Sequence, residues 1–181
     1  MNALKEWATV VKALENGNQT VLLRKGGILE TSSGFKLESK KFLLYPTFEH
    51  QALDSLKSQF YGYLADVNEN QPKKGFNKIS SYAEVVEECD VSSKEKIDNI
   101  SSFHILSDSY IKQRMNWEPE KPFKAVFLRV YKINEYETPI RSEYQGCKSW
   151  IDINENVEDG KPVLSDSEFN QKLEQFRGIM N

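Results

Sequence analysis

Arg24, Lys25, Gly26 and Gly27 place two cations at the end of an aliphatic run, beside two residues whose missing side chains let a ligand approach the backbone. That combination suits a phosphate, because guanidinium and ammonium groups supply charge-assisted hydrogen bonds and glycine permits close contact. The segment lacks the GxxxxGK[ST] spacing of a nucleotide loop, and a hairpin turn with solvated charges has the same composition. A second cluster, Glu38-Ser39-Lys40 with Glu30 upstream, holds the residue types of a restriction-type nuclease. There, acids hold Mg2+ and a lysine steadies the attacking water. No aspartate stands on a preceding strand to complete that set, and such triplets are common in a chain that is 28% charged, so plain surface charge competes with this reading.

The run Tyr45-Pro46-Thr47-Phe48-Glu49-His50-Gln51 is the most suggestive polar cluster. A strand ending at the proline and a helix beginning after it would gather the Thr47 hydroxyl, free backbone amides, His50 and Gln51 at one edge, and helix starts bind anions. His50 could serve as acid or base near neutral pH, although a lone histidine is more often structural. No Ser-His-Asp or Cys-His arrangement is visible. The two histidines and two cysteines are not spaced as metal ligands, so no cofactor is expected, with Mg2+ entering only under the nuclease reading. Finally, Trp117, Phe127, Tyr131, Tyr144 and Trp150, with Arg114, Arg129 and Lys148, could stack bases and grip phosphates, while core packing is the competing use of those rings.

These residues need elements to hold them. Leu4, Trp7, Val10, Val11 and Leu14 recur at three- and four-residue spacings, which predicts a helix over 3–15 stopped by Gly17. Residues 19–24 (QTVLLR) read as a strand and Ile28–Leu37 as a hairpin about Ser32, Ser33 and Gly34. Residues 41–45 (KFLLY) read as a strand that stops at Pro46, and 47–64 as a helix capped by Thr47. An exposed loop is expected over 66–78, a strand over 82–91, a Ser-capped helix over 94–100 and a helix within 103–116. Residues 124–133 (KAVFLRVYKI) form the clearest strand, with Arg129 on the face of Phe127 and Tyr131. A further strand over 149–153 and a capped amphipathic helix from Ser165 complete the order, with neither repeat nor low-complexity tract.

Strands and helices mixed in this order predict an α+β domain, 1–181, with a mostly antiparallel curved sheet flanked by helices. A chain of 181 residues suffices for one core, and 39% hydrophobic content lies in the globular range. No apolar run reaches the length of a membrane span and the first residues are not a signal peptide, which points to the cytoplasm without a membrane partner. Cys89 and Cys147, too few for a disulfide framework, are expected as buried thiols in a reducing compartment. A net charge of −3 argues against overall attraction to nucleic acid, yet residues 1–50 hold seven Lys/Arg against five Asp/Glu, which permits a basic face.

Three segments carry a family resemblance: 4–30 (LKEWATVVKALENGNQTVLLRKGGILE), 42–51 (FLLYPTFEHQ), and 128–133 (LRVYKI) with 144–153 (YQGCKSWIDI). Together they resemble the domain-of-unknown-function 1802 family over nearly the whole chain. The resemblance implies a prokaryotic setting and an occasional link with restriction-type nucleases, and no transferable activity. The order of a helix followed by GNQTVLLR is similar to the start of the ASCH branch of PUA-like domains, small β-barrels that generally bind RNA or modified bases. Those domains usually carry an acidic residue in the strand where this chain has Leu22. The expectation is thus a nucleic-acid-binding or sensing module, for which the second resemblance implies a PUA-like barrel, with Arg24, Lys25, Gly26, Gly27, Thr47, His50, Gln51, Arg129 and Tyr131 at the ligand. Its rivals are a metal-dependent nuclease centred on Glu30, Glu38 and Lys40, with His50 a separate acid-base candidate, and an accessory subunit that recruits a protein partner.

Overall fold

The computed structural model describes residues 1–25, 34–155, 157 and 159–181. The chain opens with a strand, β1 (Asn2–Trp7), that runs straight into helix α1 (Ala8–Glu15). The expected helix over 3–15 is therefore half strand. β1 is covered on both faces, with Leu4 in the main core and Ala3 in a second, smaller one, so it lacks the alternation that marks a half-exposed strand. Leu4 and Trp7 also happen to continue the spacing of the α1 stripe. Gly17 ends the turn after α1 at φ +72°, in the left-handed region where glycine is favoured.

β2 (Val21–Arg24) and β3 (Lys41–Thr47) follow, and β3 passes through Pro46 instead of stopping there. β3 pairs in parallel with β1 as far as Thr47, whereas its antiparallel ladder to β4 (Phe76–Val91) covers only Lys41–Leu43. On the β4 side Pro46 has no ladder bond to lose, and its carbonyl instead accepts from Asn77 Nδ2 at 2.8 Å. The expected helix over 47–64 is replaced by two short 3-10 turns, Leu53–Ser55 and Ser58–Phe60, ahead of α2 (Tyr61–Glu69). Tertiary bonds hold this stretch open: Leu56 bridges Leu106, Ser107 N–H donates to Ser55 C=O, and the Lys57 ammonium donates to the carbonyls of Ser101 and His104. Thr47 consequently caps no helix.

β4 and β5 (Phe123–Pro139), 16 and 17 residues long, form the longest antiparallel pair. Helices α3 (Lys94–Asn99) and α4 (Asp108–Asn116) lie between them in sequence, α3 capped by Ser93 as expected and α4 by Ser107. Register breaks at Ile79/Ser81 and Val85/Glu87 bend the pair. β6 (Trp150–Asp152), β7 (Lys161–Pro162) and α5 (Asp166–Met180) complete the chain, and α5 begins with the reciprocal Ser165/Glu168 capping box. The strand order is β2-β5-β4-β3-β1-β6, with β7 beside β5, and every pairing is antiparallel except β1–β3.

The seven-stranded sheet is curved but open, which corrects the barrel expectation: among the described residues no ladder joins β2 to β6. Side chains cross the gap instead. Arg24, on one edge strand, reaches Ser149 Oγ beside the other at 2.6 Å, and Trp150 Nε1 donates to Lys36 C=O at 2.9 Å. The main core packs α1 and α5 on one face of the sheet, where Phe127 meets Phe103, Phe169 and Phe176 with ring centroids 5.1–6.2 Å apart. The second cluster, including Tyr45, Ile79, Tyr82 and Tyr144, covers the opposite face. Cys89 is half-buried but Cys147 is exposed, because it sits after Gly146 in the loop before β6 instead of within an element. None of the described helices is long and apolar enough to cross a membrane.

Candidate nucleic-acid interface

Where β1 turns into α1, backbone and side chains converge on Glu6. Its Oε2 lies 2.9 Å from Arg24 Nη1, its Oε1 accepts the Trp7 N–H at 2.9 Å, and its carbonyl accepts from Thr47 Oγ1 at 3.1 Å. Arg24 also donates to Lys5 C=O at 3.4 Å and lies over the Phe35 ring, 5.0 Å from its centroid. Glu6 and Arg24 keep side-chain exposures of only 10% and 21%, so the pair is shielded enough to be stronger than a surface ion pair.

Trp7, at the N-cap of α1, has no capping oxygen of its own. Gln51 supplies one from a distant loop, its Oε1 accepting from both Thr9 N–H and Thr9 Oγ1 at 2.9 Å. His50 beside it is exposed and left-handed, at φ +62°. Lys5 donates to Tyr144 C=O at 2.9 Å and Gly146 C=O at 2.8 Å; burial lowers its pKa, against the opposing pull of Glu49.

A half-buried strip extends from this junction along α4. The Trp7 and Tyr110 rings tilt against each other with centroids 5.3 Å apart, and one turn further the Arg114 guanidinium lies 4.5 Å from the Trp117 ring centroid. Burial raises the Tyr110 pKa, Arg114 and Arg24 pull it down and Glu6 pushes it up, so these charges lie within electrostatic reach of the phenol. Lys25 holds α4 in place: it is 4% exposed, and its ammonium donates to the last-turn carbonyls of Arg114 at 2.9 Å and Met115 at 3.0 Å. A cation there complements the helix dipole, although burial lowers the Lys25 pKa.

The structure thus brings Arg24, Lys25, Thr47, His50 and Gln51 to one end of the sheet, with Arg24, Lys25, Thr47 and Gln51 engaged in internal bonds. Arg129 and Tyr131 are elsewhere. Lys124 is the β5 residue paired with Arg24, which puts Arg129 five residues, or about 16 Å, further along that strand. Arg129 is ion-paired with Asp166 at the start of α5, and Tyr131 stacks on Tyr82 with centroids 4.9 Å apart. Gly26, Gly27 and Glu30 lie outside the described residues. Glu38 is exposed, Lys40 pairs with Glu88 at 2.7 Å, and among the described residues no three His, Cys, Asp or Glu side chains converge. An open groove of about 410 Å³ adjoins Phe35, but its Lys124 is already paired with Asp90 at 2.8 Å. Of the rings proposed to stack bases, Phe127, Tyr144 and Trp150 are in the core, whereas Trp117 keeps part of its surface.

Glu6, Trp7, Tyr110 and Ser149 escape the sequence reading. Trp7 looks like a core helix residue, and only the four-residue spacing of Tyr110 and Arg114 hints that they share a helix face. The family model described as Domain of unknown function (DUF1802) matches residues 3–175. Similar solved structures include ASCH from Zymomonas mobilis, with 15% identity and a TM-score of 0.47 over 95% of this chain and 92% of that one. A single-residue mutant of the same protein gives 14% identity and a TM-score of 0.45 over 95% and 94%. None of the curated proteins matches.

Proposed function

Because this chain belongs to the DUF1802 family, whose description carries no activity, we propose a function from the site itself: a module that binds single-stranded nucleic acid along the Trp7–Tyr110–Arg114–Trp117 strip. The observation that carries this reading is the alternation of half-exposed rings with an arginine, next to the Glu6–Arg24 junction and the exposed His50. Rings offer a stacking surface to any unpaired base, and a guanidinium over a ring can add a phosphate contact. A duplex buries its base faces, so such a strip favours unpaired strands. With a net charge of −3, the protein gains little from overall attraction, and binding should depend on salt only as strongly as one or two phosphate contacts require.

The test is a fluorescence-anisotropy titration of labelled single- and double-stranded RNA and DNA at two salt concentrations with Mg2+, each endpoint run on a gel. Binding of intact single strands is expected, and Trp117→Ala should weaken it roughly 5- to 100-fold while Arg129→Ala leaves it unchanged. Equal affinity in Trp117→Ala would sink the assignment. Shortened strands, protected by a chelator and by Glu38→Ala, would establish the nuclease instead. No binding at micromolar protein would favour the accessory-subunit reading.

A further inference from the structure

At the opposite end of β2 from Arg24, two buried polar atoms lack any partner among the described residues: Thr20 Oγ1 and Arg129 Nε. The Thr20 backbone and Arg129 Nη2 are engaged. Thr20 N–H donates to Phe103 C=O at 3.0 Å and its carbonyl accepts from Leu128 N–H at 2.8 Å. Arg129 Nη2 donates to Asp166, and the guanidinium lies 4.8 Å from the Phe169 ring centroid and 5.7 Å from that of Tyr131. Both residues line one small cavity, whose other walls include Leu14, Val163 and Leu164. Its room for the centre of a water-sized sphere is about 10 Å³, close to the space of a single water.

We infer that this cavity is a binding site for one structural water, which accepts from Arg129 Nε–H and hydrogen-bonds Thr20 Oγ1. The assignment is independent of the nucleic-acid reading. Water fits where an anion does not, because the remaining lining is largely apolar and Asp166 already neutralises Arg129. A water also serves as donor and acceptor at once, so it satisfies both orphan groups. It would tie the start of β2 to β5 and, through Arg129, to the first turn of α5.

Thr20→Val removes the hydroxyl while keeping the side-chain shape. Water magnetic relaxation dispersion on the intact protein should then lose the amplitude of one long-lived water, and Tm should fall by several degrees. An unchanged amplitude, or a rise in Tm from relieving a dry, unpaired hydroxyl, overturns the inference. Thr20→Ser covers the case in which the valine variant does not fold: it keeps the hydroxyl and should keep the amplitude, and a loss there would show that the hydroxyl does not hold the water.

Discussion

β2 is four residues long, and its two ends are chemically opposite. At the Val21 end three uncharged polar side chains are hidden: Gln19, Thr20 and His104 are 2–3% exposed. Gln19 there bridges Val21 C=O and Ile105 N–H at 2.9 and 3.2 Å. At the Arg24 end an ion pair sits beside half-exposed rings. The first end is covered by the Phe103–Leu106 segment and α5, so its hydrogen bonds are turned inward and leave space for no more than a water. Among the described residues the second is flanked by Phe35 and by α4, where Tyr110, Arg114 and the following Trp117 keep part of their surface. What distinguishes a structural end from a candidate binding end is the cover, since the strand between them is the same.

Breaking the charged end should have the largest effect. Glu6→Ala leaves the Arg24 guanidinium shielded without its anion, and urea unfolding is expected to show a loss of about 3 kcal/mol. A loss below about 1 kcal/mol would mean that the pair behaves as surface charge. The hidden end answers to pH. His104 Nδ1 accepts from Leu106 N–H at 3.2 Å, and burial, with Lys57 adding to it, lowers its pKa to about 3 from 6.5. The unfolded chain therefore binds this proton more readily than the folded one, so stability is complete above pH 6.5 and declines as the pH falls toward 3. Between pH 7.5 and pH 5 this residue alone should cost about 2 kcal/mol. Comparing unfolding of the native chain with His104→Asn isolates that slope from the carboxylates, and parallel pH profiles would refute it.

Gly17→Ala sharpens the comparison further, because Gly17 lines the cavity beneath Arg129. A Cβ would come within 2.7 Å of Leu164 Cδ2 on a left-handed backbone, and a loss of about 1–2 kcal/mol in thermal unfolding is expected. Smallest is Asp166→Ala. Asp166 is 79% exposed, so the loss should stay below about 1 kcal/mol, and a drop as large as that of Glu6→Ala would erase the contrast between the two arginines.

Much of the fold is legible in the residues. The alternation of Val126, Leu128 and Val130 announces β5, and Ser165 with Glu168 announces the start of α5. β1 is not, because a short strand buried on both faces carries no period. The candidate site is legible only in part. Arg24, His50 and Gln51 are gathered at one end of the sheet, whereas Arg129 lies elsewhere on Asp166, since a cation beside aromatics in a strand reads the same whether its partner is a ligand or a carboxylate.

Local chemistry, then, determined where chain segments start and stop: serine caps, left-handed Gly17 and apolar periodicity act within a few residues, so the sequence alone specifies them. Tertiary structure decided which polar groups are engaged. Glu6 meets Arg24, Gln51 caps α1 and Lys25 closes α4 across separations of 18, 42 and 89 residues. No local rule encodes partners so distant, because they meet only after the sheet has curved and the helices have packed on it.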